Sequence, residues 1–244
     1  IIAKLIIYHV YHHPFAHSAS NRHAKSLLRG YEQSVDLKYK ELLEDMEELR
    51  TIDNEFKREL GIAIPKIIAF AKKKDIDMIC MPTKGAEGFG QLWGTKTAQI
   101  VKGVDIPVLV IPENSKLESI KRVGLVCDYS NKANYHALDF LLEILNKLKL
   151  SVDIITLNRE EKKMTTRDKA YRHLVRQKLK TVSPNFHFTL HNDIRQGIIE
   201  FSKKNGIGLL AVLPKKYNFL VQLFHESLTQ KLTFQSHVPL LVLK

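Results

Sequence analysis

Cysteine is nearly absent from the 244 residues, with Cys80 and Cys127 the only two. Both fall in apolar runs that read as buried strands. They are expected as core residues of a reduced, cytoplasmic protein, and their spacing fits neither a metal knuckle nor a disulfide framework. Long hydrophobic runs are missing as well. No stretch approaches the ~20 apolar residues of a membrane-spanning helix, and nothing at Ile1 resembles a basic-then-apolar signal peptide. The chain also lacks a Walker Gly-Lys-Ser/Thr motif, a metal-spaced carboxylate cluster and a Ser-His-Asp order, so no catalytic activity is expected. Glycine is scarce, at 11 residues, yet Gly85, Gly88, Gly90 and Gly94 fall within ten positions.

Hydrophobic content of 44% and charged content of 26% suit a soluble globular protein of one large or two ordinary domains. The formal charge of +12 is uneven. Residues 1–116 carry 17 Lys and Arg against 15 acids, whereas residues 117–244 carry 21 against 11. Such an imbalance marks either an anionic partner or a solvated face. The solvated face is the better reading where no aromatic cluster accompanies it, and nucleic acid is not the expected partner.

Alternating apolar and helical patterns run through the whole chain. Ala3–Val10 reads as a strand, and Ala24–Glu48 as a helix with Leu27, Tyr31, Val35, Tyr39, Leu42 and Met46 on one apolar face. Ile52–Leu60 follows as a strand and Ile64–Lys74 as a helix, its Lys72-Lys73-Lys74 run suiting the negative end of the dipole. Beyond a polar linker at Glu113–Ser119, strands are expected at Lys121–Cys127, Val152–Leu157, Phe186–Leu190, Ile207–Leu213 and Pro239–Leu243. Helices are expected at Asn134–Leu148, over the basic segment Arg159–Lys180, up to Lys204, and around Leu228. His12, His13, His17 and His23 share one early loop, but without fixed spacing or acidic and thiol partners they read as an exposed polar loop.

The most informative stretch runs from Met81 to Pro112. An apolar strand, Ile76–Met81, feeds the glycine cluster, which closes on Thr95-Lys96-Thr97 and opens a helix before the apolar strand Pro107–Ile111. Glycine lets backbone approach an anion, and the first N–H groups of a helix point at it. Thr95 and Thr97 offer hydroxyl donors, and Lys84 or Lys96 a positive charge. The alternative is a glycine-rich connection without a ligand.

The two halves repeat. Ile67–Lys73 matches Ile198–Lys204 at an offset of 131, and Pro107–Val110 matches Pro239–Val242 at 132. Lys121–Leu148 has no counterpart in the first half, so a first strand is expected to be missing there. Gly85, Gly88 and Gly94 align with Tyr217, Leu220 and Glu226, side chains that block or repel a phosphate.

These features resemble the universal stress protein family, whose phosphate loop reads Gly, two residues, Gly, nine residues, Gly-Ser/Thr. Here Pro82-Thr83-Lys84-Gly85 is followed by eight residues and Gly94-Thr95, with proline for the first glycine and a spacer one residue short. The resemblance covers essentially the whole chain. It implies an α/β fold of two Rossmann-like domains, 1–116 and 117–244, each a mostly parallel sheet flanked by helices. It also implies a cytoplasmic stress-response role and a weakened or lost ATP site in the first domain, on Lys84, Gly85, Gly88, Gly94, Thr95 and Thr97. Asp128 matches the aspartate that contacts the adenine end of the nucleotide in the family. Paired domains of the family pack through their last strands, so the chain is expected to form an internal pseudo-dimer, with a homodimer of tandems the further alternative. The competing readings are a protein-interaction module that binds no nucleotide, an adenylating enzyme, and a small-ligand pocket in the second domain at Lys215-Lys216 and His225–Thr229.

Overall fold

A computed structural model describes residues 4–12, 22–73, 75–82, 95–112, 115, 120–127, 136–157, 163–191, 194–213 and 238–244. They form two compact units, Ile1–Phe70 and Ala71–Lys244. Both are α/β, with mostly parallel strands flanked by helices.

In the first unit, β1 (Leu5–Tyr11) pairs in parallel with β2 (Asn54–Leu60), in the register Leu5↔Asn54 to Tyr11↔Leu60. A parallel pair needs a long crossover, and α1 (Arg22–Asp45) with α2 (Glu47–Thr51) supplies it. The single helix expected over Ala24–Glu48 breaks at Met46, whose φ of −121° and ψ of 87° are not helical. Glu47 and Glu48 then restart the helix, where acidic side chains favour the positive end of the dipole. The expected apolar face of α1 is only partly covered: Val35 is buried, while Leu27, Tyr31 and Met46 stay exposed. Aromatic stacking contributes here, with Tyr39 on Phe56 at 4.4 Å and Tyr8 on Phe70 at 4.3 Å between ring centroids. Helix α3 (Ala63–Ala71) follows and turns Ala71 inward.

The second unit is built on a seven-stranded sheet. Its strands are β3 (Ile79–Pro82), β4 (Val108–Ile111), β5 (Arg122–Val126), β6 (Ser151–Leu157), β7 (Asn185–Thr189), β8 (Leu209–Val212) and β9 (Leu240–Val242). They lie in the order β3-β4-β9-β8-β5-β6-β7. All described neighbours in this sheet are parallel except β4 and β9, which run antiparallel with Leu109 opposite Leu241. The helices between strands are α4 (Thr95–Gly103), α5 (His136–Lys147), α6 (Thr166–Lys178) and α7 (Ile194–Asn205).

Strands β5 to β9 therefore take the order β7-β6-β5-β8-β9, with β5 at the centre. By the repeat, β1 and β2 correspond to β6 and β7, and β3 and β4 to β8 and β9. Among the described residues, no strand of the first half corresponds to β5.

The core sits under α5 and α6. Leu138, Leu141 and Leu145 recur at helical spacing and are fully buried against Val123, Leu125, Val152 and Ile154. Burying each such side chain is worth roughly 1.5–3 kcal/mol. Gly124 lets this sheet pack closely, since a Cβ there would stand 2.8 Å from Ile155 Cδ1 and 3.1 Å from Ile207 Cγ2. Helix α6 starts with a capping box: the Thr165 hydroxyl accepts from the Asp168 amide, and the Asp168 carboxylate accepts from the Thr165 amide.

Two expectations change. Cys80 is exposed, because β3 is the outermost strand of its sheet, although surrounding atoms still desolvate the thiol enough to push its pKa up. Leu190 is also exposed, since β7 ends one residue before it. The helix expected around Leu228 lies outside the described residues.

Candidate functional site

Strand β3 ends at Pro82, opposite Ile111 of β4, and α4 begins at Thr95. The strand and the helix read from the sequence thus stand before and after residues 83–94. Lys84, Gly85, Gly88 and Gly94 lie outside the described residues. So do Asp128 and the second-half positions 215–229.

Helix α4 is anchored by Ile100, Val101 and Val104, each at most 2% exposed. The Lys244 ammonium donates to the Val101 carbonyl at 2.6 Å, which ties the C-terminus to this helix. Burial lowers the Lys244 pKa, and Asp105 opposes that shift. Within the first turn Lys96 is exposed, whereas Thr97 is 3% exposed and faces the packed interior. The first turn holds no acidic residue, so the unpaired N–H groups and the positive dipole end there favour an anion. Ligands of open α/β sheets bind beyond the carboxyl ends of strands, and the carboxyl end of β3 is Pro82.

A second constellation was not anticipated. Asp153, on β6, is 1% exposed. Its Oδ1 lies 2.7 Å from His187 Nε2 on β7, and its Oδ2 lies 3.4 Å from Arg122 Nε on β5. That oxygen makes no hydrogen bond, so Arg122 acts on it through charge rather than as an aligned donor. Arg122 also donates to the Asn205 carbonyl at the end of α7, at 3.4 Å, and His187 meets Phe201 of α7 edge-on at 4.9 Å. All three residues sit near the amino ends of their strands or beneath α7. The group is a clamp across three strands rather than a ligand site. The sequence signal for it was a lone aspartate inside the apolar run Ser151–Leu157.

In the first unit, two tyrosines on β1 are held by carboxylates. The Tyr8 hydroxyl donates to Glu59, which also pairs with Lys66. The Tyr11 hydroxyl donates to Glu32 at 2.7 Å, and Arg58 forks onto Asp36 at 2.8 and 3.0 Å. Burial, reinforced by the bond to Glu32, pushes the Tyr11 pKa up to about 12. Tyr8 moves upward for the same reasons, through burial and then Glu59. Both hydroxyls stay protonated near neutrality and act as donors. Among the described residues, no group of three or more His, Cys, Asp and Glu is placed to hold a metal. His12 is exposed, His13 and His17 lie outside the described residues, and His23 belongs to α1 rather than to the loop expected for it.

Residues 2–112 match the family model of the universal stress proteins. The likeness in fold extends over the whole chain. A universal stress protein from Archaeoglobus fulgidus DSM 4304 superposes with a TM-score of 0.72 at 14% identity, covering 99% of this chain and 87% of that one. A protein of unknown function from Pseudomonas aeruginosa PAO1 gives a TM-score of 0.59 at 12% identity, covering 100% of this chain and 92% of that one. At these identities the universal stress protein structures establish the shared fold. No curated protein matches the chain. No described helix is long and apolar enough to cross a membrane.

Proposed function

We propose that this chain is a tandem universal stress protein, with domains 1–116 and 117–244, that serves the cytoplasmic stress response by binding rather than by catalysis. Its ligand is a nucleotide, ATP in the first instance, held weakly at the first domain by Lys84, Gly85, Gly88, Gly94, Thr95 and Thr97. The observation that carries this reading is the acid-free first turn of α4, the helix that follows β3 in the chain, inside the segment that matches the family. The tandem arrangement is supported by the repeat and by the pairing of β4 with β9, the last strands of the two halves. The same pairing supports an internal pseudo-dimer, which leaves a homodimer of tandems as a higher assembly.

The test is calorimetric titration of Mg-ATP into the purified chain, repeated with Gly85→Tyr and Gly94→Glu. The expected result is weak binding that both substitutions abolish. No heat and no thermal stabilisation at saturating ATP would sink the nucleotide site.

A second reading, a protein-interaction module without nucleotide, is favoured by two observations. Pro82 occupies the first glycine position of the phosphate loop and ends β3 within the ladder. Thr97 is also buried, which turns one of the six site residues away from solvent.

A further inference from the structure

Strand β7 ends the seven-stranded order, and among the described residues no strand pairs with its outer side. An outer strand presents a row of backbone donors and acceptors that a further strand can match. The surroundings of this one are chemically biased. Phe186 and Phe188 alternate onto the α6 side of β7 and pack against the core. Arg172 and Arg176, one turn apart on α6, reach across these rings. The Arg172 guanidinium carbon is 5.1 Å from the Phe186 ring centre and 5.3 Å from that of Phe188, and the Arg176 carbon is 4.8 Å from Phe186. Cation–π stacking of this kind fixes a guanidinium plane instead of leaving it to sample solvent.

The rest of α6 adds charge of the same sign. Lys169 and Arg176 are exposed and by helical spacing share one stripe with Arg172, and Lys180 follows just beyond the helix. Asp168 is the single acid between Lys163 and Thr189, and it is buried in the capping box. The α6 side of β7 at Phe186 and Phe188 therefore carries positive charge, from Arg172 and Arg176.

We propose that the outer edge of β7 takes an extended acidic segment of another protein as an added strand, with carboxylates at alternate residues facing Arg172 and Arg176. Side chains of a strand alternate between faces, so an acidic residue at every second position puts each carboxylate on the α6 side, beside Phe186 and Phe188. The intervening residues face the His187 side. Backbone hydrogen bonds supply affinity and the arginine pair supplies selection. Single-stranded nucleic acid fits less well. Base stacking needs open ring faces, and the guanidiniums already occupy those of Phe186 and Phe188.

The experiment uses fluorescence anisotropy on the full chain at low salt. The probe is a fluorescein-labelled peptide alternating Glu and Val, compared with a copy carrying N-methylated alternate amides and with a short oligothymidine. The peptide is expected to bind, with roughly tenfold weaker binding on N-methylation and on Arg172→Glu/Arg176→Glu. Arg176→Gln, at an exposed position, should weaken binding severalfold and keeps the test open if the double variant does not fold. Equal binding of the N-methylated copy, unchanged binding by the folded variants, or tighter binding of the oligothymidine would each overturn the proposal.

Discussion

His187 Nε2 lies 2.7 Å from Asp153 Oδ1, a bridge between neighbouring strands that are joined through α6. It satisfies one oxygen of a carboxylate that is 1% exposed, and Arg122 supplies the compensating charge at 3.4 Å. Removing His187 leaves the buried carboxylate short of its bond, and removing Asp153 takes from the half-buried imidazole its partner across the strands. His187→Ala and Asp153→Ala are each expected to cost about 1–3 kcal/mol. The double variant should cost less than the two together, by about 1 kcal/mol or more. Urea unfolding of the four proteins measures this coupling, and strictly additive losses would show that the two side chains do not act as a unit.

The antiparallel junction invites a packing test. Leu241 is 1% exposed, belongs to the core cluster, and lies on a strand paired on both sides. Leu241→Ala is expected to cost about 2–5 kcal/mol through lost burial and the cavity left behind. Differential scanning calorimetry should register a drop of about 2–4 °C for each kcal/mol lost. An unchanged Tm would mean that β9 is not the central seam between the two halves.

Tyr11 gives the first unit an alkaline limit. An unfolded tyrosine titrates near ~10, whereas folded Tyr11 titrates at about 12 because burial and the bond to Glu32 favour the neutral phenol. A folded value above the unfolded one means that the stabilisation is complete below pH ~10 and is lost as pH rises toward about 12. Tyr11→Phe should show a smaller decline over that window, with one fewer late-titrating phenol in the tyrosinate absorbance. A phenol at position 11 that titrated with the exposed tyrosines would contradict the buried hydrogen bond.

The repeat made most of the architecture legible. Elements carrying the same residues in both halves, such as Ile67–Lys73 and Ile198–Lys204, fell where expected as α3 and α7. The closing strands did likewise, because Pro107–Val110 and Pro239–Val242 share an apolar run short enough to be a buried strand. What stayed hidden depends on neighbours rather than on local pattern. Cys80 sits in an apolar run, but exposure follows from β3 being outermost, which only the strand order reveals. Asp153 and His187 are 34 positions apart and meet because parallel register sets Ile155 beside His187. Likewise, Arg172 and Arg176 read as a solvated basic face until β7 brings Phe186 and Phe188 beneath them. The glycine loop was the strongest motif in the sequence, and the described structure fixes its two ends, Pro82 and Thr95.

The reversal of direction between β4 and β9 has a geometric result for any ligand. Strands β3 and β4 point their carboxyl ends toward one rim of the sheet, while β5, β6, β8 and β9 point theirs toward the other. The carboxyl ends, beyond which open α/β sheets take their ligands, therefore lie at opposite rims for the strands on either side of the β4–β9 junction.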